Sequence, residues 1–99
     1  MKKFGDLIEG EKPILLVFYK DVDNEDDSIH SILRDIAEAI ADGGKVIKLD
    51  ISKNPKLVEA LRINDVPTFI IYKLSEMVWR QTGEQDTNTL IGLMSEYLN

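Results

Sequence analysis

The fold is decided by residues 13–27, whose sequence is PILLVFYKDVDNEDD. Residues 13–19 form a continuous apolar run without polar alternation, which is typical of a β-strand covered on both faces. Residues 21–27 contain five acids and no cysteine. After them, apolar residues recur at the spacing of one helix face, at Ile29, Ile32, Leu33, Ile36, Ala37 and Ile40. Residues 21–27, the acidic tip, are therefore predicted to be a strand-to-helix turn, where open α/β sheets usually place ligands.

Composition limits the function classes. A length of 99 residues and an apolar fraction of 43% predict one globular domain, residues 1–99, with a core that needs no metal or disulfide. The chain contains no cysteine. Its composition therefore excludes disulfides, thiolate metal sites and thiol redox chemistry.

Net charge and apolar patterning indicate the kind of partner. The net charge is −6, which argues against nucleic acid and against an anionic membrane surface. A basic protein patch or a cation suits such a charge better. Residues 1–6 lack the apolar region of a signal peptide, and no apolar run approaches the roughly 20 residues of a membrane span. The sequence predicts a soluble cytoplasmic protein.

The remaining pattern predicts eight elements in the order α, β, α, β, α, β, β, α. Each strand–helix–strand crossover predicts a parallel right-handed unit, and the closing hairpin adds an antiparallel pair. Asn54 is predicted to cap the third helix, with Pro55 at its first position, and Asp86 or Thr87 to cap the last. The fold class is α/β, with a mixed four- to five-stranded sheet flanked by helices. The predicted elements are a helix at 4–9, a strand at 14–19, a helix ending near 41, a strand at 46–51, a helix opened by 54–55, strands at 69–72 and 77–79, and a helix after 86.

Six segments in the same order resemble the thioredoxin family, and the resemblance covers nearly the whole chain. They are Lys12–Tyr19, Ile32–Ala37, Lys48–Asp50, Asn54–Leu57, Val66–Phe69 and Arg80–Gly83. The resemblance implies a thioredoxin-like fold in which the family's Cys-Gly-Pro-Cys motif falls on Asp23-Asn24-Glu25-Asp26. The Trp that precedes the motif falls on Val22.

The same resemblance implies that the scaffold is kept and the reaction is lost. Val17 stands where the redox-active family has a buried acid, and Glu25 replaces the Pro of the motif. Pro67 corresponds to the family's cis-proline and Gly83 to the neighbouring loop. Disulfide exchange needs one thiolate to attack and a second thiol to resolve the mixed disulfide. We therefore expect no disulfide oxidoreductase activity, no catalytic residue and no cofactor.

The function predicted from these features is that of a non-catalytic protein-interaction or chaperone-like module. Its acidic tip would meet a basic protein or peptide partner beside a groove retained from the family. No nucleic acid and no membrane partner is expected. The predicted binding residues are Asp21, Val22, Asp23, Asn24, Glu25, Asp26, Asp27, Val66, Pro67, Thr68 and Gly83.

Three alternatives remain open at this point. The acids can be a solvated helix cap without a ligand, since carboxylates stabilise helix N-termini. They can instead hold a divalent cation, with Asp23, Asp26 and His30 as candidate ligands, although a complete calcium loop is missing. The third alternative is a family member that homology would assign to thiol-disulfide exchange although it lacks the thiols, acting through a partner's cysteines.

Overall fold

The structure is a computed structural model that describes residues 4–20 and 28–98. Within these ranges, no helix has the length and apolar character needed to cross a membrane. A short 3₁₀ helix, Ala41–Gly43, follows the second helix. The other elements are α1 (Phe4–Ile8), β1 (Ile14–Tyr19), α2 (Ser28–Ile40), β2 (Lys45–Asp50), α3 (Pro55–Ala60), β3 (Thr68–Lys73), β4 (Glu76–Thr82) and α4 (Thr87–Glu96).

The four described strands form one mixed sheet in the order β2-β1-β3-β4. Strand β1 pairs parallel with β2 and antiparallel with β3, while β3 and β4 form the closing antiparallel hairpin. At the centre of the sheet, Val17 is opposite Lys48 on one side and Phe69 on the other. The predicted mixed sheet flanked by helices is confirmed.

The predicted direction of β3 is wrong. Only the β1–α2–β2 crossover is a parallel unit, because β3 runs antiparallel to β1. The physical reason is the length of α3. Its six residues span about 9 Å, whereas a six-residue strand spans about 20 Å. The helix cannot carry the chain back along the sheet, so β3 begins at the same end of the sheet where β2 ends.

Two apolar clusters cover the two faces of the sheet, which explains the unbroken apolar run of β1. Leu15 and Val17 join the cluster beneath α2 and α4, and Trp79 packs against it. Leu16 and Phe18 join the cluster on the α1 and α3 side. The residues of β1 from 14 to 18 are at most 1% exposed, so the side chains of these five residues are buried on one face or the other.

The helix caps differ from the prediction at one of two positions. The Asp86 carboxylate accepts a hydrogen bond from the Thr89 amide at 3.3 Å and caps α4. Asn54 makes no side-chain capping bond to α3. Its amide donates instead to the carbonyl of Asp50 at 2.8 Å, because the close return from β2 places that acceptor within reach. The predicted side-chain cap by Asn54 is therefore wrong, although Pro55 does begin the helix.

Candidate functional site

Several segments that the sequence points to lie together at one end of the sheet. Strands β1 and β2 end there, with Tyr19 opposite Asp50. Strand β3 begins at the same end of the sheet, where Thr68 lies between Phe18 on β1 and Thr82 on β4. The loop before β3 and the loop after β4 are therefore neighbours beside the end of β1. Ligands of open α/β sheets usually bind at this end, outside the carboxyl ends of the parallel strands.

A hydrogen bond joins the loop before β3, which contains Pro67, to the loop after β4, which contains Gly83. The Val66–Pro67 peptide bond is cis. The Gly83 amide donates to the Pro67 carbonyl at 2.8 Å, and Gly83 has φ +103, a conformation that favours glycine. Val66, Pro67 and Gly83 are each half-buried, so each keeps part of its surface accessible. We name these three residues, together with the buried Thr68, the groove, after the groove that the resemblance implies.

Thr68 belongs to the floor of the groove. Its side chain is 0% exposed, and its hydroxyl donates to the Asp65 carbonyl at 2.6 Å. The same oxygen lies 3.2 Å from the Thr82 hydroxyl. The Asp65 carboxylate in turn accepts from the Val66 amide at 2.8 Å. Thr68 therefore holds the loop in place, and of these four residues only Val66, Pro67 and Gly83 have exposed surface for a ligand.

The other seven predicted binding residues lie outside the described part of the chain. They are Asp21, Val22, Asp23, Asn24, Glu25, Asp26 and Asp27. The two cation-ligand candidates Asp23 and Asp26 are among them. Of the cation hypothesis, only His30 can be placed.

His30 lies between the aromatic ring of Tyr19 and the side chain of Lys48. The Tyr19 and His30 rings meet edge to face, with centroids 5.2 Å apart and an interplanar angle of 83°. Lys48 Nζ lies 3.2 Å from His30 Nδ1, so the ammonium donates and the imidazole nitrogen accepts. This contact occupies one of the two possible ligand nitrogens and puts a positive charge beside the ring. Both effects disfavour a cation at His30 Nδ1.

The described residues supply no alternative metal site. Across 4–20 and 28–98, no group of three or more His, Asp or Glu side chains is arranged to hold a metal ion. The position of the family's buried acid is also apolar here. Val17 is 0% exposed within the cluster that contains Leu33 and Phe69. A side chain of this kind cannot transfer a proton.

A polar network at the end of β2 was not predicted from the sequence. The Asp50 carboxylate accepts from the Ser52 hydroxyl at 2.7 Å and from the Ser52 amide at 2.9 Å. The Ser52 hydroxyl bond, helped by the amide bond, lowers the pKa of the Asp50 carboxyl below its ordinary value. The spacing Asp50-x-Ser52 is the sequence signal of such an Asx turn. The contact of His30 with Lys48, 18 residues apart, has no comparable local signal.

Comparison with known proteins gives the same scaffold. The family model described as Thioredoxin matches residues 1–96. The chain belongs to the thioredoxin family. Thioredoxin from Alicyclobacillus acidocaldarius subsp. acidocaldarius is 30% identical over 95 residues, covering 96% of this chain and 90% of that protein.

Two further relatives show how far the likeness extends. Thioredoxin Y, chloroplastic, of Oryza sativa subsp. japonica is 33% identical over 89 residues, or 89% of this chain, and the match spans only 53% of the rice protein. The solved structure of a mutant thioredoxin from Halobacterium salinarum superposes with a TM-score of 0.83 at 25% identity, covering 96% of this chain and 82% of that one. This chain thus carries a thioredoxin fold without any cysteine.

Proposed function

We propose that this thioredoxin-family chain is a non-catalytic protein-interaction module, of a chaperone-like kind, for basic protein or peptide segments. The observation that carries the proposal is the absence of cysteine from a chain whose family match spans residues 1–96. The resemblance puts the family's redox motif at Asp23-Asn24-Glu25-Asp26, which lies inside that match. A carboxylate can neither attack a disulfide nor resolve a mixed disulfide.

The groove supports the binding part of the proposal. Val66, Pro67 and Gly83 combine partial exposure with a loop held by the Gly83–Pro67 and Thr68–Asp65 hydrogen bonds. A rigid, partly apolar loop loses little conformational entropy when an extended segment binds. Residues 21–27, which contain five acids, follow β1 and precede α2 in the sequence, and the chain as a whole carries −6. Positive charge on a partner would complement both features.

A pull-down from native lysate tests this proposal. The bait is the full chain, compared with a tip variant that carries Asp23→Lys, Glu25→Lys and Asp26→Lys. The matched control carries Glu9→Lys, Glu11→Lys and Glu76→Lys. These three glutamates are exposed residues near the opposite end of the sheet. Each variant replaces three acids by Lys, so the total charge change is the same. Each bait is used at low salt, with and without a chelator.

The proposal expects proteins that the wild-type and control baits retain, that the tip variant loses, and that chelator does not release. These proteins should also elute steeply as sodium chloride rises, because exposed charge pairs are screened by salt. Retention only in the absence of chelator would favour the cation hypothesis. Equal retention by all three baits would contradict the proposal and leave the acids as a solvated helix cap.

A further inference from the structure

The outer edge of β2 is an open sheet edge bordered by a basic groove. Strand β2 is the first strand in the sheet order, and no described strand pairs with its outer side. Between this strand and α2 lies a cavity of about 190 Å³, which we name the β2-edge groove. It is lined by His30, Leu33, Arg34, Ala37, Val46 and Lys48.

The backbone of β2 is available for hydrogen bonding along this edge. The amides of Lys45 and Ile51 donate to the carbonyls of Pro13 and Tyr19, so these residues point their backbone groups toward β1. Because backbone groups alternate in direction along a strand, those of Val46 and Lys48 point to the open side. An extended segment aligned there can form main-chain hydrogen bonds with β2.

The groove is positively charged in an acidic protein. Its described lining holds the cationic side chains of Arg34 and Lys48, together with His30, over an apolar floor that includes Leu33 and Val46. No carboxylate occurs among those lining residues. The whole chain, in contrast, carries a net charge of −6. The local charge is therefore opposite in sign to the charge of the molecule.

We infer that the β2-edge groove binds an extended acidic segment of a partner protein, which adds to the sheet as a strand beside β2. Alternate side chains of such a strand fall on the α2 side, where acidic groups meet Arg34 and Lys48. A second copy of this chain is disfavoured as the occupant. Pairing two β2 edges about a two-fold axis would bring two sets of Arg34 and Lys48 together on one face.

The test uses the isotopically labelled full chain and a defined probe. The probe is an acetylated eight-residue peptide of alternating Glu and Thr, and its control replaces every Glu by Lys. Amide NMR shifts are followed during titration with each peptide. The inference expects saturable shifts from the acidic probe alone, centred on Val46, Lys48 and the neighbouring turn of α2. Methylating one alternate set of probe amides should abolish binding, while methylating the other set should preserve it.

Charge variants give the quantitative test. Lys48→Glu should weaken probe binding about fivefold, and Lys48→Gln by less, in line with the strength of exposed ion pairs. Lys56→Glu is the matched control, because Lys56 is an exposed residue of α3 on the other face of the sheet. It should change affinity by less than about twofold. Dispersed amide spectra of each variant establish that it is folded.

Several outcomes would overturn the inference. Equal shifts from the acidic and basic peptides, or no loss with Lys48→Glu, would mean that Lys48 only protects the edge against aggregation. Concentration-dependent shifts of β2 amides without peptide would identify a second copy as the occupant. The inference is independent of the acidic tip. Lys48→Glu should retain the tip-dependent proteins of the pull-down, so the two proposals fail separately.

Discussion

The amide nitrogen of Gly83 lies 2.8 Å from the carbonyl oxygen of Pro67 and donates a hydrogen bond to it. This bond ties the end of the closing hairpin to the loop before β3. It also uses one of the two acceptor positions of the Pro67 carbonyl oxygen within the protein. The two loops therefore form one surface whose shape depends on the backbone conformation at Gly83.

Replacing Gly83 by Ala tests that dependence. Gly83 has φ +103 with open space around its Cα, so an added methyl group strains the backbone without a collision. Unfolding free energy should fall by about 1 kcal/mol. Gly10 is the matched control, since it has φ +112 and equally open space. It precedes the first residue of β1, at the end of the strand away from the groove. Denaturant unfolding should show similar losses for both variants. Only Gly83→Ala should also weaken capture of the proteins whose retention in the pull-down depends on the acidic tip. Equal capture by both variants would show that the groove takes no part in binding these proteins.

The wild-type chain should not accelerate disulfide reduction. In an insulin reduction assay driven by dithiothreitol, the rate with this protein should equal the rate without protein, because no thiolate is available to attack a disulfide. A thioredoxin with both cysteines serves as the positive control. A rate clearly above the protein-free background would reject the non-catalytic proposal.

The hairpin turn between β3 and β4 can be improved. Leu74 and Ser75 have φ values of +54 and +65, the signs of a type I′ turn. Neither residue is favoured in this region. Replacing the pair by Asn-Gly should raise the unfolding free energy by about 1–2 kcal/mol. Leu74→Ala with Ser75→Ala removes the same side chains and should give no comparable gain. A gain from the alanine pair would attribute the effect to the exposed Leu74 side chain rather than to the backbone.

Two adjacent glycines should respond differently to Ala. A Cβ on Gly44 would lie 2.7 Å from the Pro13 carbonyl oxygen, which accepts the first hydrogen bond between β2 and β1. This backbone atom cannot move without disturbing the ladder, so Gly44→Ala should lower the unfolding free energy by about 1–3 kcal/mol. A Cβ on Gly43 meets only the side chain of Leu98 near the end of the chain. Gly43→Ala should therefore cost less in thermal or denaturant unfolding, and the reverse order would contradict the close approach at Gly44.

Ser52→Ala should raise the pKa of the Asp50 carboxyl toward its ordinary value. The Ser52 hydroxyl bond favours the charged form, so it stabilises the fold above the ordinary pKa. That stabilisation is lost as the pH falls through the lowered pKa of the folded state. The carboxyl titration followed by NMR should shift upward in the variant. Denaturant unfolding across the same acid range should show a smaller pH dependence than in the wild type.

Ser95→Ala is the control for this acid titration. Ser95 also uses its hydroxyl, but the acceptor is the Ile91 backbone carbonyl at 2.8 Å rather than a carboxylate. It should leave the Asp50 titration unchanged. An unaltered Asp50 pKa in Ser52→Ala would contradict the hydroxyl bond as the main cause of the lowered pKa and leave the Ser52 amide bond and the charge of Lys53.

Much of this fold is readable from local patterns. The unbroken apolar run at 13–19 implies a strand with a layer on each face, and the apolar spacing after residue 28 implies a helix, because side-chain direction along each element follows its own period. The Asp86 cap is local in the same way. The missing thiols are a fact of composition. Their absence carries the proposal that this chain lacks the family's disulfide chemistry.

The tertiary structure decided the features that depend on strand order and direction. Strand β3 is antiparallel because the six-residue α3 is too short to return the chain along the sheet. The Thr68 hydroxyl then lies against Asp65 and Thr82. The strand order leaves the β2 edge open, because β3 pairs with the other side of β1. Register across the β1–α2–β2 unit brings Lys48 to His30. A period of two or 3.6 residues describes only the neighbours along the chain, whereas these contacts arise where separate elements meet.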